Sequence, residues 1–202
     1  MAHLTEELIL ASASPTRAWL LATAGVEVRV EPAAVDEEAV KQTFRAKGRA
    51  AIECALALAE TKACRVAGRH DRAFVIGADQ ILVCDGLWFD KPSDLGAARA
   101  QLKALRGRTH ELATAVCVVQ NRTRIWHTVK QPHLTMREFS DLFLEDYLAV
   151  EEAAVLGTVG AYRLEGRGVQ LFERIEGDYF AILGLPLLEL LGFLRERGQL
   201  AS

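Results

Sequence analysis

The apolar run from Phe74 to Ala78 ends abruptly at Asp79, and this boundary does most to limit what the chain can fold into. The run is too short for a helix and lacks polar alternation, so it predicts a strand buried on both faces, central in a helix-covered sheet. Such a strand delivers the next polar residue toward the place where open α/β sheets hold ligands. Around it, short apolar runs interleave with helical patterns. Leu8 to Ala11 reads as a strand, Ser12, Ser14 and Pro15 as a helix start, and Gly25 as its stop. Val26, Val28 and Val30 alternate with charged residues and predict a half-exposed strand closed by Pro32. The Ala-rich residues 49–66 predict a helix stopped by Gly68. Asp85-Gly86 marks a hairpin turn, and Ser93 or Asp94 caps a helix that runs to Leu105. Residues 111–119 and 124–135 read as β-rich stretches joined at Gln120 and Asn121, and Ser140 starts a helix through Leu148. Strands near residues 170–175 and 179–183 then lead to a last helix over residues 187–197. Hairpins among interleaved strands and helices predict an α/β fold with a mixed sheet.

Half of the 202 residues are hydrophobic and a quarter charged, and no repeat or linker interrupts them, so residues 1–202 read as a single domain. A chain of this size buries a core without metal or disulfide staples. The net charge of -3 creates no positive field to attract nucleic acid or anionic lipid. Cys54, Cys64, Cys84 and Cys117 lie far apart among apolar neighbours and read as reduced thiols. Glu6 and Glu7 stand where a signal peptide would be basic, and the most apolar segment, 179–194, is shorter than the about 20 residues of a membrane span. Neither export nor a membrane role is expected.

The chain lacks the Walker, dinucleotide, serine-hydrolase and zinc-helix signatures. His3, His70, His110, His127 and His133 form no pair at ligand spacing, read as surface or strand residues, and receive no role. Polar residues at strand ends remain. Ser12-Ala13-Ser14-Pro15-Thr16-Arg17 puts hydroxyls, free backbone N–H groups and a guanidinium at a helix start, which suits a phosphate. From spacing alone, an ordinary serine cap beside a surface arginine is the commoner reading of the same stretch. Asp79 needs a metal, a lysine or a substrate proton if it is buried, or it is a solvated strand-end residue. Lys62 and Lys91 suit non-terminal phosphates, or are surface charges. Asp36-Glu37 is a magnesium ligand or merely an acidic helix start. The crowded glycines of residues 157–184 fit a ligand-facing loop or frequent turns.

In their order, these pieces resemble the Maf family of nucleoside triphosphate pyrophosphatases. The matching stretches are LASASP from Leu10 to Pro15 with Arg17, VDE from Val35 to Glu37, AETKA from Ala59 to Ala63, and VIGADQ from Val75 to Gln80. Lys91-Pro92, Leu105 to His110, Thr114 to Val116, Val159 to Tyr162 and Gly177 to Leu187 complete them. The resemblance covers nearly the whole chain.

It implies a Maf/ITPase-like α/β fold, with a long mixed sheet flanked by helices and two lobes around a cleft. It also implies a cytoplasmic, often homodimeric enzyme that uses Mg2+ or Mn2+ to split the α–β phosphoanhydride of a nucleoside triphosphate. Carried over by motif, Asp79 is the proton acceptor and Ser12, Arg17, Lys62 and Lys91 hold the triphosphate. Glu37 positions metal or water, and Glu37 and Asp79 are the implied metal ligands. Many members carry adjacent arginines after the serine-rich turn, whereas Thr16 precedes Arg17 here. Members acting on dTTP and UTP have Thr after the strand aspartate and Gln in the later glycine loop. This chain has Gln80 and Glu165 there, closer to the subgroup that prefers 7-methyl-GTP, and a glutamate accepts from a purine's N–H groups. The competing implications are a dTTP/UTP-type enzyme and a nucleotide-binding regulator of cell division.

Overall fold

The computed structural model describes residues 6–201, so His3 lies outside the described residues. The strands are β1 (Leu8–Leu10), β2 (Arg29–Val30), β3 (Phe74–Cys84), β4 (Leu87–Phe89), β5 (Thr109–Gln120), β6 (Thr123–Lys130), β7 (His133–Met136) and β8 (Phe172–Glu176). The helices are α1 (Pro15–Thr23), α2 (Glu37–Ala46), α3 (Ala51–Ala67), α4 (Leu95–Leu105), α5 (Asp141–Glu151), α6 (Tyr179–Ile182) and α7 (Leu187–Glu196). All the strands join one mixed sheet, ordered β2-β1-β3-β5-β7-β8, with β4 added to β3 and β6 to β5. The expected α/β architecture, a long mixed sheet flanked by helices, is therefore present.

The long strands β3 and β5 form its axis, paired antiparallel from Val75 opposite Val119 to Val83 opposite Glu111. Strand alternation sends Val75 and Ile81 into a core under α3, and Ile76, Ala78 and Leu82 into a second core on the other face. Gly77 makes the α3 contact possible: a Cβ there would lie 2.1 Å from the Ala59 carbonyl oxygen.

On its other edge, β3 is shared. Its first residues pair with β1 as far as Ile76, and its last pair with β4 from Leu82 onward. Between these partners the edge of β3 is bare, and Asp79 sits in that gap. This divergence of neighbouring strands opens a crevice at the middle of β3, where the apolar run was expected to end at Asp79.

Several local readings are corrected. Residues 179–183 turn helical instead of extended, because the Asp178 carboxylate accepts from Phe180 N and Ala181 N, each at 3.1 Å, and caps a short helix. The stretch 124–135 is not one strand: it breaks between Lys130 and His133 at Pro132 and resumes farther along the same edge of β5, opposite Thr109 to Glu111. Only Arg29 and Val30 of the alternating valine stretch pair with the sheet. The turn after β5 falls on Asn121 and Arg122, both at positive φ. Cys54, Cys84 and Cys117 are buried, Cys64 is half-buried, and all are free thiols. No helix among the described residues is long and apolar enough to cross a membrane.

Candidate active site

All eight sequence-predicted site residues, Ser12, Arg17, Glu37, Lys62, Asp79, Gln80, Lys91 and Glu165, line one cleft of about 590 Å³ at the bare edge of β3. The side chain of Asp79 points toward α3, as its alternation with Gly77 and Ile81 requires. There Lys62, near the last turns of α3, donates to Asp79 Oδ1 at 2.5 Å and meets Glu37 Oε1, at the start of α2, at 2.7 Å. Asp79 is 5% exposed and Lys62 8%. The second carboxylate oxygen, Asp79 Oδ2, is buried and has no hydrogen-bond partner among the described residues. Burial raises the Asp79 pKa above the ordinary carboxylate value, against the lowering pull of Lys62 and Arg17. Glu37 goes the other way: burial would raise its pKa, but the charge and hydrogen bond of Lys62, aided by Lys41 and Lys91, hold it below its ordinary value.

Arg17 is neither a surface arginine nor a loose anion trap. Its Nη1 donates to the Ala78 carbonyl at 2.8 Å and to Ser12 Oγ at 3.1 Å, and its Nε donates to the Gly184 carbonyl at 2.8 Å. The Ala78 carbonyl sits in the gap that β1 and β4 leave, so the guanidinium replaces a missing strand partner. Gly184 has φ +93°, and a Cβ there would lie 3.1 Å from Arg17 Nε, so the backbone can approach the arginine only without a side chain. Ser14 is the helix N-cap and accepts from Arg17 N at 3.4 Å, while Ser12 faces the guanidinium. The serine cap is present at Ser14, but the arginine beside it is buried and not on the surface. Burial lowers the Arg17 pKa, while Asp79 and Glu37 support its charge.

Lys91 follows β4 at the cleft mouth, where burial and the charges of Arg17 and Lys62 push its pKa down. A group held among like charges favours an anion beside it.

Gln80 points away from Asp79, to the opposite face of the sheet. Its amide donates to Thr114 Oγ1 at 2.8 Å and to the carbonyls of Ala181 and Ile182 at 2.9 and 3.1 Å. The buried Thr114, directly across in β5, donates to Ala181 O at 3.0 Å. Gln80 therefore shapes the cleft wall by holding α6 in place. Glu165 lies on the opposite wall, among short 3-10 turns, with its Oε1 3.4 Å from Arg163 Nε.

The sequence reading passed over Lys41, Asp90, Tyr162 and Arg163, which also line the cleft. Tyr162 had a signal only as the last residue of a family-matching stretch, and its hydroxyl meets His110 Nε2 at 2.8 Å. His110, read as a surface or strand residue, is a strand residue but fully buried, and burial takes its pKa down to about 4. Lys41 had a usable signal, its position one helical turn after Glu37.

A buried carboxylate with one free oxygen, faced by cations from separate elements where β3 lacks an edge partner, defines an α/β protein with a strongly polar cleft on its sheet. The family model described as Maf-like protein matches residues 7–197. The chain belongs to that family. It is 56% identical over 194 residues, covering 96% of this chain and 98% of the other, to the nucleoside triphosphate pyrophosphatase of Granulibacter bethesdensis. It is 50% identical over the full length of both chains to the protein of that name from Rhodospirillum rubrum. The 7-methyl-GTP pyrophosphatase of Rhizobium meliloti is 47% identical over 193 residues, 96% of this chain and 97% of the other.

Proposed function

We propose that this chain hydrolyses a nucleoside triphosphate at the α–β phosphoanhydride, releasing a nucleoside monophosphate and pyrophosphate, with Asp79 as the proton acceptor. The observation that carries the proposal is Asp79 Oδ2, a buried carboxylate oxygen without a partner in a cleft otherwise furnished with cations. An attacking water needs such an acceptor: its oxygen bonds to phosphorus, the bridging P–O bond breaks with its electron pair leaving on the departing phosphate, and Asp79 takes the proton. The raised pKa of Asp79 makes it the better proton acceptor once ionised. Lys62, Arg17 and Lys91 offset phosphate charge, with Ser12 holding the guanidinium in place. Phosphoryl transfer needs little else beyond positioning and charge neutralisation.

The residues fit a divalent cation. Asp79, through Oδ1, and the half-exposed Glu37 carboxylate flank the ammonium of Lys62, so a positive charge is already favoured between them, and Asp79 Oδ2 stays free to take a ligand. Among the described residues there is no cluster of three or more metal-ligating His, Cys, Asp or Glu side chains. A pair of carboxylates suits Mg2+ or Mn2+, which keep waters and take phosphate oxygens as further ligands. When bound, the ion supplies further neutralisation of phosphate charge.

For the base, the reading is a modified purine of the 7-methyl-GTP type. Glu165 supplies a carboxylate on the wall opposite the cations, and Gln80 sets the position of α6. We extend the reading to a single catalytic domain that works as a cytoplasmic homodimer, as the family resemblance implies.

The test is pyrophosphate release from 7-methyl-GTP, dTTP, UTP and the standard triphosphates with Mg2+ or Mn2+, alongside Asp79→Asn. Turnover concentrated on 7-methyl-GTP and lost in the variant supports the reading. Preference for dTTP or UTP moves the specificity away from Gln80 and Glu165. Binding without turnover favours a regulatory nucleotide binder.

A further inference from the structure

Helix α2 fully buries a single side chain, and that side chain is charged: Lys41 is 8% exposed. A helix on a protein surface ordinarily docks through an apolar stripe. Here Val40 and Phe44 pack only partly against the core. Charge contacts one helical turn apart hold the helix instead, Glu37 to Lys62 at 2.7 Å and Lys41 to Asp90 at 2.5 Å.

Asp90 is itself gripped from several directions. Its Oδ2 accepts from Arg45 Nη2, also on α2, at 3.3 Å, and its backbone carbonyl accepts from Gln101 Nε2 on α4 at 2.8 Å. Arg45 lies over the ring of Trp88 in β4, 5.1 Å from its centre. Asp90 directly precedes Lys91, and buried Pro92 restricts the backbone after it. Thus α2 carries Glu37 on one side of the Lys41–Asp90 pair, and the chain carries Lys91 on the other.

We infer that Lys41 and Asp90 form a brace that sets the spacing between Glu37 and Lys91, and are positioning residues for the reaction proposed above. The inference rests on that reading for its purpose, but its geometry stands without nucleotide. Neither residue touches the reacting atoms in this account. The brace ties the more exposed groups of the cleft, Glu37 and Lys91, to the frame of α3 and β3 that holds the buried Lys62 and Asp79.

The experiment compares Lys41→Met, Asp90→Asn, the double variant and Lys41→Arg. Amide exchange across residues 39–46 is followed in the nucleotide-free protein, and KM and kcat are measured with the best triphosphate. Removing Lys41 leaves Asp90 only the longer contact with Arg45, and neutralising Asp90 leaves Lys41 buried without its ion-pair partner, so each single variant speeds exchange in α2 by about tenfold or more, with α3 unchanged. KM rises about tenfold with a smaller change in kcat, because Asp79 and Lys62 remain in place. The double variant is no worse than the worse single one, as expected for groups that act mainly through each other. Lys41→Arg retains the charge and recovers most of the loss, which rules out a mere folding defect. Additive losses with unchanged exchange in α2 overturn the brace and make Lys41 a direct phosphate ligand. Faster α2 exchange in both single variants of a protein that releases no pyrophosphate would uphold the brace while refuting the proposed function.

Discussion

The walls of the cleft are built on different terms. On the β3 side, Ser12, Arg17, Lys62 and Asp79 are each buried, and nearly every polar atom is tied to a named partner, from Arg17 on three acceptors to Lys62 between its carboxylates. On the facing side, the apolar residues of the 3-10 turns are packed, but the polar tips are loosely held. Arg163 reaches Glu165 at 3.4 Å and Glu151 at 3.8 Å, with much of its side chain exposed. Charge neutralisation gains from groups that need no reorganisation when the phosphates arrive, so the rigid wall suits the common chemistry. A base contact can be exchanged between substrates, and the looser wall suits that choice.

Breaking the rigid wall should have the largest effect. Asp79→Asn is expected to reduce kcat about 10²- to 10⁴-fold while nucleotide still binds, as measured by pyrophosphate release beside calorimetric titration. Lys62→Met should come next, because it strips the buried Asp79 of its counter-charge. A loss of roughly 3 kcal/mol of stability is expected in denaturant unfolding, together with weaker triphosphate binding. A Cβ at residue 77 would crowd the Ala59 carbonyl, so Gly77→Ala should cost about 1–3 kcal/mol. Gly157→Ala, with nothing near its added Cβ, serves as the contrasting change on the facing wall and should lie within about 0.5 kcal/mol of the parent.

The pH response sharpens the same contrast. Burial raises the Asp79 pKa, so the folded chain holds that proton more tightly than the unfolded chain does. Its contribution therefore favours folding below the unfolded value of 3.8 and is lost as pH rises through the raised folded value. Catalysis needs the opposite ionisation, so activity should grow over the pH range in which this contribution to stability disappears. Asp79→Asn, which removes the buried charge, should then melt a few degrees above the parent at neutral pH, with the gap closing toward acid. A gap that widens toward acid would show that Asp79 is net stabilising when ionised. The smallest change is expected from Glu165→Gln, about tenfold or less in the preference between a purine and a pyrimidine triphosphate, with little effect on kcat for the best substrate.

Much of this arrangement was legible in the residues. The apolar run before Asp79, the serine turn before Arg17 and the Ala-rich helix carrying Lys62 each predicted an element that the structure contains. The side-chain environments were harder to read. The guanidinium of Arg17 is buried because β1 and β4 part on the edge of β3 and leave the Ala78 carbonyl needing a donor, a long-range fact with no local signal. Gln80 follows Asp79 in sequence, and period-two alternation sends it to the other face, where it holds α6 instead of standing with the cations. Residues 179–183 looked like a strand because their apolar content outweighed the capping signal of Asp178, a tendency overridden by one pair of hydrogen bonds. Lys41, one turn after Glu37, was overlooked because a lysine on an acidic, polar helix is ordinarily solvated, and the Asp90 side chain that makes its burial tolerable comes from a distant part of the chain.

The most direct test of the central claim is the identity of the products, followed by phosphorus NMR with Mg2+ present, for the parent chain and Asp79→Asn side by side. Monophosphate and pyrophosphate are expected from the parent, and intact triphosphate with the variant despite retained binding. Release of orthophosphate and a nucleoside diphosphate, or undiminished turnover in Asp79→Asn, would contradict it.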